Sequence, residues 1–146
     1  MTVPAQQTTS RNTAAVWFGR VVWLGILFNL VFIALQLFMP DAVNVGVGLM
    51  PGFPTVWNRA HGAMVLALSL LYIPAAVSPL SYPGYSWLVV VSRLVAALFW
   101  AWCRSSGQGA FGSYLMADGG FFLVEGVLLQ AALPAQQRSP PTGDSR

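Results

Sequence analysis

Lysine is missing from this chain, and histidine and cysteine occur once each. A single Cys103 excludes an internal disulfide, a CxxC redox pair and a four-cysteine metal cluster. One histidine excludes bis-histidine haem ligation within one copy. The composition leaves room for a His–Met site built from His61 with Met39, Met50 or Met116, but none is expected. Histidines and carboxylates are too few for a zinc or diiron centre, so neither a metal nor a cofactor is expected. Charge is scarce as well, at 8% of residues against roughly 25% in an average soluble domain. So little charge cannot clothe the surface of a water-soluble chain of 146 residues. The net charge of +3 rests on seven arginines dispersed along the sequence, which excludes the clustered basic face of a nucleic-acid binder.

What is present is apolar, at 56% of residues, and it falls into long runs. Spanning the hydrocarbon takes about 20 mostly apolar residues in a helix. Four stretches meet that length, at about 17–39, 59–77, 85–103 and 111–133. They are continuous rather than alternating, which excludes β-barrel strands, and no charged stripe marks a water-facing side. The first run is too long for the apolar region of a signal peptide, so it reads as an uncleaved span. The expected fold is all-α, an integral membrane up-down four-helix bundle over residues 16–133. Polar tails at 1–15 and 134–146, rich in Gln, Ser, Thr and Pro, are expected to be disordered. The first connection, residues 40–58, is long and apolar and reads either as a surface resting on lipid or on another protein or as a loop folded over the outer mouth of its own bundle.

Four spans put both termini on one side. Arg11, Arg20, Arg138 and Arg146 lie there, against Arg59 and Arg104 opposite. Positive charge favours the cytoplasm, so both termini are expected to be cytoplasmic, in an inner or plasma membrane. Trp17, Tyr82, Tyr85 and Trp87 then form the inner aromatic belt, and Trp57, Trp100, Trp102 and Tyr114 the outer one.

Ionisable groups inside a span cost about 3 kcal/mol each, so they must find partners. At about 1.5 Å per residue, Arg93 and Glu125 lie at the same depth on antiparallel neighbours. They are expected to form a buried ion pair. Asp118 stands seven residues before Glu125 on the same face. Near its level come Asn29, Gln36, His61, Tyr114 and the stem of Arg59, an expected polar cluster in the outer half of the bundle. Gly112, Gly119 and Gly126, seven apart, predict a groove for close helix packing.

Several short stretches carry a resemblance. They are Asn29-Leu30, LFMPD at 37–41, Trp57 followed by Gly62, Tyr72 with AAVSP at 75–79, Tyr82, and Asp118 in the fourth span. Over residues 29–118 the chain resembles small bacterial four-span membrane proteins of unassigned function, the DoxX-like group. Such proteins usually carry a different charge pattern in the first span, where this chain has only Arg20. The resemblance implies the four-span architecture and a neighbourhood of quinone-linked oxidoreductases.

Two functions fit these residues. One is a non-catalytic subunit or assembly partner of a larger membrane complex, related to electron transfer. Its partners would be membrane lipid and other membrane subunits or further copies of itself. The other is a membrane-embedded quinone- or lipid-binding protein, or an enzyme, using the cluster around Asp118 and His61. The residues do not decide whether catalysis is involved.

Overall fold

The computed structural model describes residues 12–39, 55–107 and 112–137. They form four helices: α1 (Thr13–Phe38), α2 (Thr55–Val77), α3 (Pro83–Ser105) and α4 (Gly112–Gln137). Each helix packs on its neighbours in sequence, and α4 closes the ring on α1. The ends of the helices follow local chemistry. Asn12 caps α1 by accepting from the Ala15 amide at 3.3 Å, and its side-chain amide donates to the Ala132 carbonyl on α4 at 2.8 Å. The α2–α3 connection is tight. The amides of Ser81 and Tyr82 both donate to the Ser78 carbonyl, and Ser86 Oγ donates to the Pro79 carbonyl at 2.8 Å. Pro83 then opens α3, where a missing N–H costs nothing. Gly107, at φ +85°, turns the chain after α3.

Cross-helix contacts fix an antiparallel register. Gly19 meets Ala76, Asn29 meets Ser69 and Gln36 meets His61 along α1 and α2. Val90 faces Gly126, Trp100 faces Asp118 and Arg104 faces Gly112 along α3 and α4. The bundle therefore runs up and down.

Its two halves differ. Towards the Asn12 end lies an apolar core of Phe18, Val22 and Ile26 with Tyr72, Ala75, Ala76, Val89, Val90 and Leu129. Towards the Phe38 end the interior is polar and partly open. The outward faces carry Trp23, Leu27, Val31, Leu70, Leu98, Leu123 and Val127, all exposed. Four helices are long and apolar enough to cross a membrane, over Thr13–Phe38, Arg59–Val77, Pro83–Ser105 and Gly112–Leu133.

Three expectations change. Helix α1 already begins at Thr13 and α4 continues to Gln137, so parts of both expected tails are helical. The rest of the tails and the apolar stretch 40–54 lie outside the described residues. Trp100, expected in an interfacial belt, turns inward and is buried. The glycines spaced by seven do not form one seam. Gly126 contacts Val90, Gly112 lies against the Arg104 side chain, and nothing stands within 4 Å of a β-carbon built at Gly119. The close approach of helices occurs instead at Gly19, where a β-carbon would be 2.5 Å from the Ala76 carbonyl oxygen.

Candidate functional site: a cavity with a polar floor

The polar half of the bundle is organised around Arg93. Helix α3 turns this residue inward at the level where the apolar core ends, and it is 6% exposed. Its Nη1 donates to Asp118 Oδ1 at 2.8 Å and to Asn29 Oδ1 at 3.4 Å. Trp100 Nε1 donates to the other oxygen, Asp118 Oδ2, at 3.0 Å. Trp100 is seven residues after Arg93, so one face of α3 presents both donors. The guanidinium is also held between rings, 4.9 Å from the Phe121 centroid and 5.7 Å from that of Tyr72.

The expected Arg93–Glu125 ion pair is not formed. Arg93 pairs with Asp118, and neither Glu125 oxygen has a hydrogen-bond partner. The two acids occupy different surroundings. Asp118 lines the cavity and accepts from Arg93 and Trp100, and these hydrogen bonds replace part of its hydration. Glu125 is fully buried on the apolar side, where a carboxylate would find no such support.

The remaining predicted residues divide. Asn29 is drawn into the centre, and its Nδ2 donates to Ser69 Oγ at 3.0 Å. His61 Nδ1 donates to Gln36 Oε1 at 3.0 Å, making a separate pair nearer the Phe38 end. Tyr114 contributes its ring, centred 5.2 Å from Trp100 and 5.3 Å from Phe32. Arg59 is exposed at the start of α2 and stands outside this set. Sequence reading overlooked Trp100, Ser69, Tyr72 and Ser92. Ser92 Oγ donates to the Val89 carbonyl, which leaves it as acceptor for the Tyr72 hydroxyl. The signal for Trp100 was its spacing from Arg93. Nothing in the sequence singles out the two serines.

These groups line a cavity of about 960 Å³. Asn29, Gln36, His61, Tyr72, Ser92, Arg93 and Asp118 are among the residues that line it, and most of the rest are apolar. Its exposed lining residues lie mostly on α2 and α3, which puts its open side between them. There the exposed Met64 and Leu71 face the exposed Val91, Val95 and Phe99. An opening bordered by apolar side chains on outward helix faces admits apolar molecules more readily than ions. Among the described residues, no three His, Cys, Asp or Glu side chains gather as metal ligands.

Comparisons with known protein families, with curated proteins and with solved structures return no match.

Proposed function

We propose that the chain crosses the membrane four times and binds an amphipathic molecule, a lipid or a quinone, in the cavity between α2 and α3. The observation that carries this reading is the lateral opening joined to a buried polar floor. An apolar tail suits the Met64, Leu71, Val91 and Val95 walls, and an oxygen-bearing head suits the donors deeper inside. Arg93 is already matched by Asp118, so the floor offers little excess positive charge to an anionic head. The reading therefore favours an uncharged head group over a phosphate. The resemblance to DoxX-like proteins points the same way, to a place beside quinone-linked oxidoreductases in a bacterial membrane.

The test is native mass spectrometry of the delipidated protein, offered a quinone, a diacylglycerol and phosphatidylglycerol at equal concentration. Retention of one or both neutral molecules in preference to the anionic lipid supports the reading. Equal, weak retention of all three contradicts it. The arginine distribution supports an orientation with both termini in the cytoplasm. Reporter fusions active only on the cytoplasmic side, at residues 1 and 146, test that orientation.

One feature favours a second reading, that of a non-catalytic subunit of an electron-transfer complex. Between α1 and α4 the outer surface carries a shallow depression lined by Val21, Leu24, Ala117, Gly120, Phe121 and Val124. Nothing lies within 4 Å of β-carbons built at Gly119 and Gly120. Small residues on such a face let a neighbouring membrane helix approach closely. A disulfide-linked pair or a stoichiometric partner captured through Gly120→Cys would support this role.

A further inference from the structure

Glu125 is 0% exposed, and both its oxygens lack a hydrogen-bond partner. Arg93 has unpartnered donors of its own, at Nε and Nη2. The two unsatisfied groups approach one another across Gly25. A β-carbon built there would stand 2.7 Å from Arg93 Nη2 and 3.7 Å from Glu125 Oε1. Nη1 is taken by Asp118 and Asn29, while the unpartnered Nη2 and a Glu125 oxygen both lie beside the Gly25 position.

Among the described residues, the neighbourhood holds one cation and two acids. Helix α3 supplies Arg93, α4 supplies Asp118 and Glu125, and α2 supplies the Tyr72 hydroxyl. Helix α1 faces Glu125 with Gly25, and its only charged described residue, Arg20, is exposed. Arg93 can balance one carboxylate. A second carboxylate in this apolar layer would be buried without hydrogen bonds or counter-charge, which costs far more than holding a proton. Two acids sharing one cation titrate as a pair, and the proton settles on whichever the cation leaves.

We propose that Glu125 is a proton-binding site, and that Asp118 and Glu125 compete for Arg93 so that the acid without it carries the proton. In the arrangement seen, Arg93 bonds Asp118, which leaves Glu125 as the acid that carries the proton. When the charge on Asp118 is removed, Arg93 turns to Glu125. The Glu125 O–H bond then breaks, its proton passes to solvent water, and the carboxylate takes up Arg93. This rearrangement does not depend on the ligand reading above.

Infrared spectroscopy of the full chain in lipid tests it, because Glu125 is the only glutamate in the sequence. At neutral pH the wild type should show a protonated-carboxyl C=O band. The band should shift on ¹³C labelling of glutamate and stay unmoved on ¹³C labelling of aspartate. These labels need no substitution, so the result does not depend on whether a variant folds. Glu125→Gln should abolish the band. Asp118→Asn should abolish it as well, since Arg93 is then free for Glu125. A missing band, one that follows the aspartate label, or one that persists in Asp118→Asn would overturn the proposal.

Discussion

Gly25 and Arg93 meet so closely that a β-carbon built on residue 25 would stand 2.7 Å from Arg93 Nη2, and the guanidinium would have to shift. A glycine on α1 thus gives the guanidinium of α3 room to reach the centre. Gly25→Ala should displace the arginine and loosen its pair with Asp118, at a loss of about 1–3 kcal/mol. Gly120→Ala, placed in open space, should be neutral. Reversible unfolding in mixed micelles measures both.

The pairing of Arg93 can be read by double-mutant cycles. In a Glu125→Gln background, where Arg93 has no second acid to take, Arg93→Gln with Asp118→Asn should show a coupling of about 1.5–3 kcal/mol, in the upper part of the range for residues in direct contact. Arg93→Gln with Glu125→Gln should show a smaller one, because the folded protein makes no bond between these groups. A larger coupling to Glu125 would restore the pairing expected from depth alone.

That expectation shows where sequence reading stops. Four apolar runs of membrane length specified four helices, because length and hydropathy are properties of the chain itself. Depth along each helix was legible too, and it placed Arg93 opposite Glu125. Depth does not say which neighbours can solvate a charge. Trp100 donates to Asp118 and Asn29 accepts from its partner Arg93, and those contacts depend on side chains from three helices. Trp100 was misread for a related reason. An aromatic residue near a span end suits an interfacial belt equally well, and only the rotation of α3 turns it inward. The glycine spacing of seven identified a face of α4 but not what stands opposite it, which is open space at Gly119. The Met64–Val95 opening has no sequence signature, since its residues are those of any lipid-facing helix.

Trp100→Phe keeps an aromatic ring beside Tyr114 and removes the donor to Asp118. Hydrogen bonds to charged groups contribute about 1.5–3 kcal/mol, so the variant should unfold more easily by about that amount. Trp102→Phe, exposed on the same turn of helix, should leave stability unchanged. The same unfolding assay checks the pair.

Filling the cleft should separate binding from folding. Leu71 and Val95 border the opening and are exposed. Leu71→Trp and Val95→Trp should therefore leave stability within about 0.5 kcal/mol of wild type, as surface changes usually do. Retention of a neutral amphipathic molecule in native mass spectrometry should fall at least tenfold.

Photolabelling in bilayers with a neutral lipid that carries a diazirine in its tail locates the bound molecule. Label is predicted on Met64, Leu71, Val91, Val95 and Phe99, and excess unlabelled lipid should suppress it. Label spread evenly over outward residues such as Leu27, Val31 and Leu123, and untouched by competitor, would show lipid solvation alone and contradict a binding cavity.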